Sequence, residues 1–209
     1  MAAVISPQEQ KIIMQGVSWA TYEQLLADFV DSHAAHFAFD NGTLEIMSPS
    51  PKHEKPNRTI AMLIELVAGE MEVDIENLGS TTFKREDIAK GFEPDSCFYV
   101  AHAELARRKD EIDLMIDPPP DLVIEIDITH PSLDKFPIFA AFGVPEVWRY
   151  DGMRVRFYTL IDGQYAEQTT SLIFPSLIAS AVTELLEASK SMKRNLWLAR
   201  VREWARTQR

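Results

Sequence analysis

Apolar positions at helix spacing mark the long regular stretches of the chain. In residues 18–30, "SWATYEQLLADFV", Tyr22, Leu25, Leu26 and Phe29 share one face, and Ser18 or Thr21 can cap the helix start. From His53 to about Asp74, Ile60, Leu63, Ile64, Val67 and Met71 recur at the same period. Running that stripe back seven residues reaches His53, which is therefore expected to face inward. Residues 181–206 predict one or two closing helices, with Leu185, Leu186, Trp197, Val201 and Trp204 as core candidates. Strand-like runs lie between. "HFAFDNGTLEIMSPS" predicts a hairpin turning at Asn41-Gly42 and stopped by Ser48-Pro49-Ser50-Pro51. "STTFKRED" and "GFEPDSCFYV" predict two strands joined through Gly91. "AHAELARRKDEI" reads as a short polar helix or loop, and Pro118 to Pro120 mark a break. "FAAFGVPEVWRYDG" predicts a short helix ended by Gly143 and a strand to Tyr150. "MRVRFYTLIDGQYAEQ" predicts a hairpin turning at Asp162-Gly163. This order implies a mixed α/β or α+β domain around a central sheet.

Between the break and the short helix lies "DLVIEIDITHPSLDKF". Side chains alternate along a strand, so Leu122, Ile124, Ile126 and Ile128 share an aliphatic face, and Asp121, Val123, Glu125 and Asp127 share the other. One reading is an amphipathic strand with a solvated acidic face. The other starts from the poor strand propensity of Glu and Asp. Carboxylates at Glu125 and Asp127, about 6.5–7 Å apart along one face, repel unless a cation lies between them. A hard divalent ion such as Mg²⁺ fits that requirement. "GFEPDSCFYV" adds Asp95 at the entry to a strand, and Lys135 follows Glu125 downstream. An Asp, a Glu and a Lys converging on one sheet are the parts of metal-assisted phosphodiester hydrolysis. Pro120-Asp121 also spells "PD", but Asp121 lies on the same strand as Glu125 and cannot supply a ligand from a neighbouring one. Cys97 reads as a buried, inert thiol and His130 as a turn residue.

Composition narrows the picture without changing it. The 209 residues, 46% hydrophobic and 10% aromatic, suit a single globular domain. No apolar run approaches a membrane span, the N-terminus lacks a signal-peptide pattern, and one cysteine permits no internal disulfide. A cytoplasmic protein without membrane contact is expected. The formal charge of −11 opposes non-specific binding of polyanions. A local basic groove remains open, built from Lys84, Arg85, Lys90 and the tail after Ser189, whose seven Lys/Arg face a single Glu. That tail also reads as the solvated face of a helix.

The ordered set "GTLEIMSPSPKHE", "FEPDSCFYV", "PDLVIEI" and "DKFPIFAAFGVPEVWRYD" resembles the PD-(D/E)XK nuclease superfamily, and within it the Uma-type branch of bacterial restriction endonucleases. The resemblance implies a restriction-endonuclease-like α/β (α+β) fold, a central mixed β-sheet of about four or five strands flanked by helices. It implies one domain over residues 1–209: an N-terminal helical extension in 1–35, a nuclease-like core in 41–165 and a basic C-terminal helix in 181–209. It assigns Asp95, Glu125 and Lys135 as catalytic residues. Asp95, Glu125 and the main-chain carbonyl of Ile126 become metal ligands for Mg²⁺, with Mn²⁺ as a substitute. Glu45, His53, Glu54 and Asp127 are accessory candidates. Asp127 stands where the superfamily usually has its lysine, whereas Lys135 occupies the place the branch uses, and Pro137 leaves open whether Lys135 sits in a first helical turn or the loop before it. The implied activity is endonucleolytic hydrolysis of DNA, less readily RNA; a homodimer is a further expectation, since double-strand cleavage pairs two sites and the Trp197/Trp204 helix offers an apolar contact, unless those tryptophans cap the domain's own core. The alternative is a catalytically inactive nuclease-fold protein acting as a binding or assembly module, which the negative charge and Asp127 favour.

Overall fold

A computed structural model of the protein describes residues 10–30, 35–128 and 133–208. The elements run β1 (Gln10–Met14), α1 (Trp19–Asp28), β2 (His36–Asp40), β3 (Thr43–Ser48), α2 (Pro51–Glu70), β4 (Glu76–Gly79), β5 (Phe83–Arg85), β6 (Lys90–Phe92), β7 (Ser96–Tyr99), α3 (Ala103–Arg108) and β8 (Leu122–Ile126). After these come α4 (Phe136–Phe142), β9 (Glu146–Tyr150), β10 (Val155–Ile161), β11 (Gln164–Gln168), α5 (Ala179–Ser189) and α6 (Arg194–Arg206). The fold is mixed α+β. A six-stranded sheet has the order β11-β10-β9-β8-β7-β4, and a five-stranded sheet the order β1-β3-β2-β6-β5.

Strand β8 sits near the middle of the larger sheet, antiparallel to β7 and parallel to β9. A strand buried on both faces needs an almost unbroken apolar run, and "LVIEI" supplies one with a single charged exception. One face carries Leu122, Ile124 and Ile126, which pack with Trp148 and Phe157 against Ile60, Leu63, Ile64 and Val67 of α2 and against α5 and α6. The other carries Val123, Cys97 and Val147, which meet Ile138, Phe139 and Phe142 of α4 and Phe92 of the smaller sheet. The smaller sheet is closed on its far side by α1, where Tyr22 stacks on Phe39 with ring centroids 4.8 Å apart.

Local chemistry sets the element ends. Ser18 caps α1 by accepting the Thr21 amide. The Ser-Pro-Ser-Pro stretch both ends β3 and starts α2, because Ser50 caps the helix and Pro51 fills its first turn. Asn41 (φ 47°) and Gly42 (φ 88°) make the left-handed turn of the first hairpin. Asp162 (φ 50°) and Gly163 (φ 80°) make that of the β10–β11 hairpin. Gly143, at φ 75°, ends α4.

Several expectations are corrected. The larger sheet has six strands rather than four or five. Gly91 is not a joint between strands but lies inside β6, and "GFEPDSCFYV" divides at Glu93–Asp95 into β6 and β7, which belong to different sheets. Pro94 explains the division, since it cannot donate to a ladder. β1 and β4 carried too little apolar pattern to be seen, so residues 1–35 contain a strand as well as α1. The closing region is two helices, and Trp197 is fully buried in the domain's own core, donating through Nε1 to Leu185 O at 2.7 Å, while Trp204 is half-buried. His130, expected in a turn, lies outside the described residues. No described helix is long and apolar enough to cross a membrane.

Gly91 meets α1 so closely that a Cβ there would lie 2.3 Å from the Tyr22 hydroxyl. Gly91→Ala is expected to displace the fully buried Tyr22 ring and destabilise the domain by about 1–3 kcal/mol, read as a lower denaturant midpoint with an unchanged m-value.

Candidate active site

Asp95 immediately precedes β7, and Glu125 lies towards the C-terminal end of β8. The ladder pairs Ser96 with Ile124 and Cys97 with Val123. Asp95 lies one residue outside that ladder, beside the end of β8 that carries Glu125. Asp95 is held from several directions. Its Oδ2 accepts the Ile126 amide at 2.7 Å. His53 Nε2 lies 3.3 Å from the same oxygen, and His36 Nδ1 lies 3.4 Å from Oδ1. The Asp95 carbonyl accepts from Asn57 Nδ2 at 2.9 Å, and Asn57 Oδ1 accepts from Ser96 Oγ at 2.8 Å. Burial by itself would raise the Asp95 pKa. The contacts from His36 and His53, with the charges of His53 and Lys135, outweigh it and hold Asp95 well below the usual carboxylate range.

Glu125 is only 8% exposed. Its Oε2 accepts from Lys135 Nζ at 2.9 Å. Burial pushes its pKa up to about 7 against the attraction of Lys135, and the charge of Asp95 adds to the rise. Burial acts on Lys135 in the opposite sense, but Glu125 and Asp95 reverse it, so Lys135 keeps its proton. Two buried carboxylate oxygens, Asp95 Oδ1 and Glu125 Oε1, have no hydrogen-bond partner among the described residues. Such atoms are costly in a folded interior, and a cation is one way of satisfying them.

Lys135 is the residue just before the first turn of α4, where its long stem reaches back to β8. Glu45 of β3, 1% exposed, accepts the Leu133 amide at 2.9 Å and so ties the smaller sheet to the segment that carries Lys135. A cleft of about 330 Å³ opens here between the sheets, at the C-terminal ends of the parallel pair β8 and β9, lined by Lys11, Glu45, Glu125, Asp127, Lys135 and Arg149 among others. A second cleft, about 850 Å³, is bordered by His36, Glu54, Asn57, Arg58, Asp95 and Ser96. Asp95 and Glu125 thus border different openings while sharing one electrostatic field.

The structure brings Asp95, Glu125, Lys135, Glu45 and His53 together. Ile126 joins through its amide. Glu54 instead pairs with Arg58 beside the second cleft. Asp127 pairs with Arg149. Of the two readings of the 121–127 strand, the solvated acidic face is not found: every residue of β8 is buried, and Asp121 Oδ2 accepts the Val100 and Ala101 amides at 2.7 and 2.9 Å, closing the turn after β7. Lys84, Arg85, Lys90 and Arg206, expected in a basic groove, are each paired with an acid, Glu23, Asp87, Asp40 and Glu70. Sequence reasoning missed Asn57, His36 and Arg149. Asn57 had a signal, one helical turn beyond His53 on the same face. His36 had none.

Among the described residues, no three His, Cys, Asp or Glu side chains gather into a ready-made metal cage. Mg²⁺ does not need one, since it keeps several waters and takes one or two carboxylates. Glu125 Oε1, buried without a hydrogen-bond partner, is a carboxylate oxygen of the kind the ion takes.

A family model described as "Uma2: Putative restriction endonuclease" matches residues 19–196. Among solved structures, the chain is similar to a putative nuclease of the DUF820 group from Anabaena variabilis, at 15% identity and a TM-score of 0.48, over 77% of this chain and 98% of that one. No curated protein matches.

The raised Glu125 pKa fixes a pH dependence. A carboxyl group that holds its proton more tightly folded than unfolded contributes stability below its unfolded value of 4.5, and that stability is lost as pH rises through about 7. In chelator, the melting temperature of the protein relative to Glu125→Gln is expected to fall between about pH 5 and pH 7.5. A constant difference across that window would show Glu125 fully ionised throughout.

Proposed function

The chain belongs to the Uma2 family, described as putative restriction endonucleases, and on that premise we propose that it is a Mg²⁺-dependent endonuclease hydrolysing phosphodiester bonds in DNA. The observation that carries this reading is the trio at the sheet centre. Asp95 reaches the Ile126 amide next to Glu125 and its charge acts on that acid, Glu125 Oε1 is buried without a hydrogen-bond partner, and the Lys135 ammonium lies 2.9 Å from Glu125. In this reading Asp95 and Glu125, with the Ile126 carbonyl, hold Mg²⁺ or Mn²⁺, which would acidify a water and neutralise charge developing on phosphorus. Lys135 orients the attacking water and keeps its own proton. Glu125 would be ionised when it holds the ion, with the Lys135 ammonium beside it. His53 and Asn57 hold Asp95 in place, and Glu45 fixes the approach of Lys135. Two copies, one per strand of duplex, and a cytoplasmic setting complete the proposal.

A second reading has a specific observation behind it. Several basic residues outside the cleft that could have gripped a polyanion, Lys84, Arg85, Lys90 and Arg206, are paired with acids. An inactive relative that uses the fold to bind a partner would have no need of them.

Calorimetry separates the two. Mg²⁺ or Mn²⁺ is expected to bind the protein and to lose that binding in Glu125→Ala. Cleavage of a plasmid is expected to stop in chelator, and Lys135→Ala to lower its rate by about 10²-fold or more with metal binding largely retained. Cation binding indistinguishable between wild type and Glu125→Ala, with no cleavage, leaves the inactive module.

A further inference from the structure

The first cleft contains three cations, and they differ in what they are free to do. Lys135 is committed to Glu125. Lys11 comes from β1, a strand at the edge of the smaller sheet. Arg149 comes from β9, where its register partner on β8 is Glu125 itself, so the two side chains lie on one face of adjacent parallel strands. Its guanidinium is held on two sides: Nη2 donates to Asp127, and Cζ lies over the Phe136 ring, 5.7 Å from its centroid. It is nonetheless about a third exposed, at 35%, and it lines the cleft. A guanidinium has five N–H donors, and the bond to Asp127 uses one.

We propose that Arg149 is a phosphate-binding residue of the cleft, gripping a phosphodiester group of the nucleic-acid strand beside Glu125, with Asp127 and Phe136 holding its fork ready. The inference rests on the nuclease reading above and adds to it the residue that recognises the substrate. Three features support it. The cleft, at about 330 Å³, suits one nucleotide unit rather than a duplex. Glu125 Oε1, buried and unpartnered, lies at the same cleft, so a ligand there meets an acid able to hold a cation and an arginine able to hold an anion. Arginine is also the side chain whose planar fork matches two phosphate oxygens at once. Asp127 has a definite part: it keeps Arg149 extended over the cleft and offsets its charge until a phosphate competes for it. The acidic body then needs no broad basic surface, because one fixed guanidinium at the reacting bond supplies the local attraction.

The test uses the full chain and a fluorescein-labelled single-stranded DNA of about ten nucleotides, with Ca²⁺ replacing Mg²⁺ so that the strand stays intact. Arg149→Gln is expected to weaken binding about tenfold or more, and to make the log–log salt slope shallower by about 0.7 for the lost phosphate contact. A merely structural arginine would not change that slope. Arg149→Lys is expected to recover part of the affinity but not the bidentate share, and Lys84→Gln, outside the cleft, to change neither quantity. Unfolding profiles of the variants keep a folding defect apart from a lost contact. Mg²⁺-dependent cleavage by wild type with an unchanged affinity and salt slope in Arg149→Gln overturns this assignment and leaves the nuclease reading standing. Arginine-dependent binding without any cleavage supports the assignment and removes the catalytic reading.

Discussion

A carboxylate in the middle of a six-stranded sheet has to be compensated, and the interior of this protein is arranged around that requirement. Glu125 is the one ionisable side chain in β8, with aliphatic neighbours on either side along the strand. Its partner, Lys135, arrives from the connection to α4, so the β8–α4–β9 unit brings the ammonium to the acid through the same crossover that makes the two strands parallel. Removing either member would leave an unpaired charge in a low-dielectric site, which is far costlier than never having buried the pair. A pair of this kind is by itself weak support for stability.

Asp95 is compensated by a different logic. It takes a main-chain amide from β8 and close approaches from two histidines, so its charge is fixed by direct contacts, whereas burial of Glu125 lifts it towards neutrality. The two carboxyl groups are thus driven in opposite directions, Asp95 towards the anion and Glu125 towards the neutral form. The first turns of α2 make the difference, because His53 and Asn57 reach Asp95 from one helix face, and Ser50 with Pro51 sets where that face begins.

Net charge is a poor guide to this site. A chain with a formal charge of −11 brings Lys135, from the start of α4, and Arg149, from β9, to one cleft between the sheets, while many of its other basic side chains neutralise nearby acids. Local field, not the total, decides what a cleft attracts.

Periodicity was enough to find α1, α2, both hairpins, α4 and the closing helices, since each buries one stripe or turns on a left-handed pair such as Asn41-Gly42 that few other residues can form. The alternation in "DLVIEI" and the quoted segments mark Asp95, Glu125 and Lys135 as candidates, and folding brings the three near one another. Periodicity missed β1 and β4, whose burial is partial and whose pattern is correspondingly faint. It also read an acidic solvated face as an open alternative, because alternation says which side chains share a face and nothing about what covers it. That was decided by α4 and the smaller sheet folding over the face, by His36 and Glu45 arriving from distant strands, and by Arg149 lining up with Glu125 across a parallel pair. Sequence determines which groups a segment offers and on which side; contacts between segments far apart in the chain determine which charges meet, because only packing removes the water that would otherwise keep them independent.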